Sequence, residues 1–339
     1  NQVISMIVSS FFTALYLGLI WAIMALGVYI AYRILDIADL GAEGAFPLGG
    51  AVAVTLLIFK VNPFIAILLA TLAGGLAGLI TALLHTKLKI PSLLAGIITM
   101  VGLYSIIMLV IGLGRIEMQR LADPNNFSWD NVVSFFYISS DIPTNSPTIF
   151  TPLANLFSFA APKHLKTSII VTSGLLVLLV FSAIYWFFGT QFGVGLRAVG
   201  KNAQMAKAQG INPHVMIMVG LIISNALVAL SGAMYSMMMK SANGTFGRGT
   251  IVIGLAIVFL GEAIFGKKTF KLSLISLVVG AVLYYIIITI AANVFSIDQN
   301  LFNLIQALLI TIILIAPRLK NDWQVKRHQM KGVSQDAKN

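Results

Sequence analysis

The chain has 339 residues, of which 58% are hydrophobic and 10% charged, with a formal net charge of +11 and no cysteine. So few polar groups cannot cover a water-soluble globule, which makes the bilayer the expected solvent. The absence of cysteine removes disulfides, thiolate catalysis and Cys-metal sites. The basic excess forms no stripe alternating with aromatics, so it reads as the cytoplasmic loops of a membrane protein and not as a nucleic-acid-binding face.

Apolar runs at 6–31, 64–84, 93–113, 168–188, 215–239, 272–294 and 301–316 approach or exceed the roughly 20 residues a helix needs to cross the hydrocarbon. The first lacks a basic start, since the first Lys or Arg is Arg33, and it is too long for a cleaved signal; a retained span is expected. Two shorter runs, 51–59 and 251–265, lie beside glycine-rich stretches and predict broken or re-entrant spans. The expected fold is an all-α polytopic membrane protein of about 8–10 transmembrane helices, with a transmembrane domain over 1–318 and a basic tail over 319–339.

Around the first short run stand Asp36, Asp39 and Glu43, the densest acidic group of the chain, close to Arg33. Carboxylates at membrane depth mark function; at a cytoplasmic surface the same residues are solvated charges or helix caps. Both readings stand. Gly44-Ala45-Phe46-Pro47-Leu48-Gly49-Gly50 and Gly244-Thr245-Phe246-Gly247-Arg248-Gly249-Thr250 share the pattern G-x-F-x-x-G, and an apolar run follows each. If the C-terminal tail is cytoplasmic, the first run travels outward and the second inward, the signature of an inverted repeat. Gly and Pro free backbone groups that hydrocarbon cannot satisfy, so such breaks line water or protein. This nominates Asp39, Glu43, Gly44, Phe46, Gly49, Gly244, Phe246 and Gly249 for a translocation pathway, with Phe46 and Phe246 either lining it or belonging to the core. Gly74 and Gly78 predict close helix packing.

The loops supply the orientation. Arg33, Lys87, Lys89, Arg197, Lys201, Lys207, Lys267, Lys268, Lys271 and the basic tail fall on one side, against Lys60, Arg115, Arg120, Lys163, Lys166, Lys240 and Arg248 on the other. That bias predicts a cytoplasmic C-terminus, and an outer N-terminus if both short runs cross fully. The proline-rich segment 115–166, with Phe127, Trp129, Phe135, Phe136, Tyr137 and Phe150, is then extracellular. It serves either as a docking surface or as a cap at headgroup level.

On the cytoplasmic side, 191–213 carries the most specific local signal. Asn202 caps a short helix over 203–209, Gly210 ends it, and Asn212 with Pro213 starts the next span. The small apolar residues Ala203 and Ala206, with Met205 as an adaptable knob, suit a groove on a separate soluble protein. Other motifs fail. The stretch 261–268 approaches a phosphate-binding loop but has Lys268 where Ser or Thr is required and continues an apolar span. His85, His164, His214 and His328 have no metal-ligand spacing. No catalytic cluster emerges, so neither cofactor nor metal is expected in this chain.

The Ala-rich helix ending in glycine before a span resembles the coupling helix of ABC importer permeases. Gly195-Leu196-Arg197-Ala198-Val199-Gly200-Lys201-Asn202, the run from Asp39 to Gly49 and Ser224-Asn225-Ala226-Leu227-Val228-Ala229-Leu230-Ser231-Gly232-Ala233 resemble the branched-chain amino acid and monosaccharide permease group. The nearest likeness is to a branch that includes aromatic amino acid systems, although the long outer loop departs from the group's pattern. The resemblance implies a permease homodimer in a bacterial plasma membrane and ABC ATPase subunits that hold ATP and Mg. It also implies an extracellular or lipid-anchored substrate-binding protein and an amino acid as cargo. Arg197, Lys201, Asn202, Ala203, Met205, Ala206 and Gly210 would couple the permease to the ATPase. The alternative is an ion-coupled secondary transporter, which inverted repeats serve equally well.

Overall fold

A computed structural model describes residues 2–124, 137–142, 146–152, 165–266 and 269–294, with positions 307, 308, 310–312 and 315. The described chain is helical nearly throughout. In order come α1 (Gln2–Tyr29), a π-helical turn (Ile30–Ile34), α2 (Gly41–Ile58), α3 (Pro63–Thr86), α4 (Ser92–Ala122), β1 (Ser139–Asp141) and α5 (Leu165–Gly189). They are followed by α6 (Gln191–Lys201), α7 (Ala203–Ala208), α8 (Pro213–Met239), β2 (Ser241–Asn243), α9 (Thr250–Phe265) and α10 (Phe270–Val294). Strands β1 and β2 pair antiparallel, Ser140 opposite Ala242.

Seven of the described helices are long and apolar enough to cross a membrane, and the chain is an all-α polytopic integral membrane protein. Helix α9 is shorter, at 16 residues, or about 24 Å against a hydrocarbon core of roughly 30 Å. Most of the run 301–316, Lys267, Lys268 and the tail 319–339 lie outside the described residues, as do Phe127, Trp129, Phe135 and Phe136.

The helix ends follow local chemistry. Asn62 accepts from the Phe64 amide at 2.9 Å, with Pro63 opening α3; Asn212 accepts from the His214 amide at 3.1 Å, with Pro213 opening α8. In each case a side-chain oxygen satisfies an amide that the first helical turn leaves free, and proline occupies a position whose N–H is not needed. Helix α4 runs about two turns past Arg115, where the polar loop was expected to begin. Residues 115–122 are mostly good helix formers, and Ile116 is buried.

The first glycine-rich stretch corrects the sequence reading. Gly44, Phe46, Pro47, Gly49 and Gly50 are all helical within α2, so the helix is not broken here. Pro47 removes one hydrogen bond, the one to the Glu43 carbonyl, and tertiary packing holds the turn in place. Gly247 lies so close to that carbonyl that a Cβ would collide with it. The second stretch is non-helical, as a break requires. Lys240 enters the left-handed region at φ 54, Gly249 takes φ 76, and the chain between α8 and α9 consists of β2 and turns.

Helices α1, α2 and α8 form the centre, with α3, α4, α9 and α10 packed around them. Glycine permits the closest crossing. A Cβ on Gly49 would strike the Ala229 carbonyl oxygen, and one on Gly232 would strike that of Phe46. Gly74 and Gly78 bring α3 equally close to α8. Hydroxyls join the helices where lipid offers no partner: Ser224 Oγ donates to Gly27 O at 2.7 Å, Ser231 Oγ to Ile20 O at 2.8 Å and Thr55 Oγ1 to Val110 O at 2.9 Å. Leu68, Leu72, Leu76 and Ile80 remain exposed along α3. Spaced at four residues, they form one apolar face suited to lipid or a second chain.

Candidate functional site

Three groups of residues carry chemistry beyond packing. The first surrounds the segment between α8 and α9. Asn243 Oδ1 accepts from the amide and hydroxyl of Thr245, at 2.8 and 2.9 Å, which folds the chain back after β2. Gly247 then presses against α2, and the Gly249 amide lies beside the Glu43 carboxylate. A carboxylate at the start of α9 is favoured by the helix dipole.

A cavity of about 320 Å³ opens at this junction. Glu43, Gly44 and Pro47 of α2, Tyr104 and Ile107 of α4, and Gly244, Gly247 and Arg248 line it. A second cavity, of about 770 Å³, shares Arg248 and is walled by Trp21, Tyr235, Phe246 and Tyr285. The aromatic rings support one another: Trp21 lies 5.6 Å from Tyr285 and 6.1 Å from Tyr235, and Tyr235 lies 5.3 Å edge-on from Phe246. Phe46, fully buried, backs this wall at 5.1 Å from Trp21 and 5.8 Å from Tyr235.

The candidate pathway residues therefore divide. Glu43, Gly44 and Gly244 border the first cavity, and Phe246 and Gly249 the second. Phe46 and Gly49 border neither cavity: Phe46 is buried core, the second of its two readings, and Gly49 sits at a helix crossing against Ala229. Asp39 borders neither cavity. It is 1% exposed, and its carboxylate accepts from Asn225 Nδ2 at 2.7 Å and the Gly41 amide at 2.8 Å, so it ties the start of α2 to α8. Burial pushes the Asp39 carboxyl up from its ordinary value, against the pull of these two hydrogen bonds. Asp36, by contrast, is exposed, with φ 57.

The second group links the π-turn after α1 to α9. The Arg33 guanidinium meets the Glu262 carboxylate through two bonds, Nε to Oε1 at 2.6 Å and Nη2 to Oε2 at 2.5 Å. Such a fork joins direction to charge. Glu262→Ala should leave the solvent-accessible Arg33 without this partner and lower stability by up to about 1 kcal/mol, read as a lower unfolding midpoint in detergent. Adding Arg33→Ala should recover part of the loss.

The third group is the short helix α7. Asn202 Oδ1 accepts from the Met205 amide at 3.0 Å, and Gly210 takes φ 83 after the last turn, as its sequence predicts. Met205 is 62% exposed, whereas Ala206 is 3% exposed and faces inward. Arg197 is also turned in. Its Nη2 donates to Phe188 O at 3.0 Å and its guanidinium lies 5.3 Å over the Phe270 ring, so it braces α6 against α5 and α10. Gly200 abuts the Ile34 carbonyl, bringing the end of α6 against the π-turn that carries Arg33. Lys201, Asn202 and Ala203 remain exposed. Asn202→Ala should cost α7 its cap, about 1 kcal/mol of local stability, and raise amide exchange at Met205.

Sequence reasoning missed Arg248, Trp21, Tyr235 and Tyr285 as site residues. Arg248 had a signal, being the one charged residue in the second glycine-rich stretch. The three aromatics sit in continuous apolar runs, where nothing local distinguishes a cavity wall from a core.

Comparison with known proteins completes the assignment. Residues 10–314 match the family described as branched-chain amino acid transport system, permease component. The chain is 34% identical over 305 residues to the tyrosine transport system permease protein of Clostridioides difficile, covering 89% of each. It is 30% identical to an uncharacterised protein of Rickettsia prowazekii, covering 75% of this chain and 77% of that one. Identity to a nucleoside ABC transporter permease protein of Lactococcus lactis is 25%, over 68% of this chain and 67% of the relative. No solved structure matches. The bundle and the match along nearly its whole length give one conclusion: the chain belongs to the permease-component family of branched-chain amino acid transport systems.

Proposed function

We propose that this chain is the membrane-spanning subunit of an ATP-binding-cassette importer that brings an amino acid, aromatic ones included, into a bacterial cell. The observation that carries the proposal is α7, a helix capped by Asn202, ended by Gly210 and presenting Met205 outward between two longer helices. A short helix with one exposed adaptable side chain fits a groove on a partner. ATP hydrolysis belongs to separate subunits that bind ATP and Mg and grip this helix. Two copies of the chain form the pathway, and an external or lipid-anchored binding protein delivers the solute. The 115–166 segment then lies outside, and α7 and the C-terminal tail lie in the cytoplasm. The amino acid assignment is supported by the tyrosine transport relative and by the aromatic wall around Tyr235.

The path of coupling follows the contacts. Movement of α7 and α6 reaches the π-turn through Gly200, then α9 through Arg33 and Glu262, and finally the segment before Gly249. Rigid helices carry such a displacement without unfolding.

Purification of the tagged chain from its native membrane in mild detergent should bring a stoichiometric ATPase subunit with it. A chain that purifies without an ATPase would refute the proposal. A second reading, an ion-coupled secondary transporter, draws on the buried Asp39 carboxylate. It predicts uptake that follows an ion gradient and disappears in Asp39→Asn, with no need for ATP.

A further inference from the structure

We propose that Glu43 and Arg248 form a clamp for the two charges of a free amino acid, Arg248 taking the carboxylate and Glu43 the ammonium group. The inference deepens the transport function above and rests on it. Both side chains border the 320 Å³ cavity, whose size is at the small end of the roughly 300–1,000 Å³ typical of small-molecule sites. They do not pair with each other, since the ion pairs among the described residues are Arg33 with Glu262 and Arg120 with Glu117. Arg248 makes no side-chain hydrogen bond among the described residues, and Glu43 has only the nearby Gly249 amide. Two opposite charges lining one small cavity without neutralising each other leave room for a ligand that carries both.

The remaining walls define the rest of the ligand. Tyr104 and Ile107, midway along α4, give an apolar surface for a side chain. A sugar or a nucleoside offers neither a carboxylate nor an ammonium group and so gains from neither protein charge. The clamp also spans the moving parts, with Glu43 on α2 and Arg248 on the segment leading into α9. Separation of these elements would release the ligand.

The test is equilibrium binding to the purified full chain in lipid nanodiscs, without a binding protein to pre-select the ligand. Three probes share one ring: L-tyrosine, tyramine, which lacks the carboxylate, and 3-(4-hydroxyphenyl)propionate, which lacks the ammonium group. The unmodified chain should bind L-tyrosine at least about tenfold more tightly than either analogue, as expected for loss of a charge-assisted hydrogen bond. Arg248→Gln should reduce L-tyrosine to the level of tyramine and leave tyramine unchanged; Arg248→Lys should restore part of the difference. Glu43→Gln should reduce L-tyrosine to the level of the propionate. Equal binding of all three probes by the unmodified chain would overturn the clamp without any variant being made. A Glu43→Gln chain that loses all three equally would overturn it too, and would leave Glu43 as a cap on α9. If L-tyrosine fails to bind while the complete transporter still imports amino acids on ATP, the clamp is wrong and the transport function stands.

Discussion

Gly232→Leu should abolish the folded bundle. The expected result is near-complete loss of monodisperse protein after detergent extraction. At Gly232 the obstacle to any side chain is the Phe46 backbone carbonyl, with no flexible side chain to swing aside. Helices α2 and α8 would have to separate, which would open the packing of Gly49 on Ala229 and of Gly74 and Gly78 on α8. Overpacking typically costs about 1–3 kcal/mol; a collision with backbone at a three-helix junction should lie at or above the top of that range. The contrasting substitution is Gly102→Leu on α4, where a Cβ meets nothing within 4 Å. It should leave extraction and the unfolding midpoint unchanged.

The second large effect concerns transport without loss of fold. Met205→Glu should reduce ATP-driven uptake by at least about thirtyfold, the size of losing one interface residue worth about 2 kcal/mol, while the purified chain keeps its unfolding midpoint. Met205 is 62% exposed, so a charge there reaches solvent. Ala206→Glu, one residue on, should instead lower the midpoint, because Ala206 faces inward at 3% exposure and would bury a charge. The pair therefore separates docking from stability on one short helix. Uptake that survives Met205→Glu would remove α7 from the coupling path.

How much of this was legible in the sequence depends on how local each signal is. The spans were readable because hydropathy alone sets them in a bilayer. Helix α7 was readable residue by residue, since its cap, its glycine stop and the next helix's Asn-Pro start all lie within a dozen positions. The stretch around Pro47 was misread for the opposite reason. Glycine and proline predict a break from local propensity, but Gly247, about two hundred positions away, packs on Glu43 and Pro47 and the turn stays helical. Phe46 and Phe246, the shared aromatic of the two G-x-F-x-x-G stretches, both pack on Tyr235, one as buried core and the other at a cavity wall. The pairing of Arg33 with Glu262 joins positions 229 apart and leaves no trace in either neighbourhood.

The proposed coupling role of α7 can be tested at a single position, because the chain contains no cysteine and Met205→Cys creates a unique thiol on an exposed residue. Cross-linking from that thiol in native membranes, followed by identification of the partner, asks directly whether a separate motor grips α7. The account predicts one dominant adduct with an ATP-binding subunit, weakened when Ala203→Gly and Ala206→Gly destabilise the helix. An adduct-free chain whose solute uptake continues on an ion gradient without ATP would contradict it.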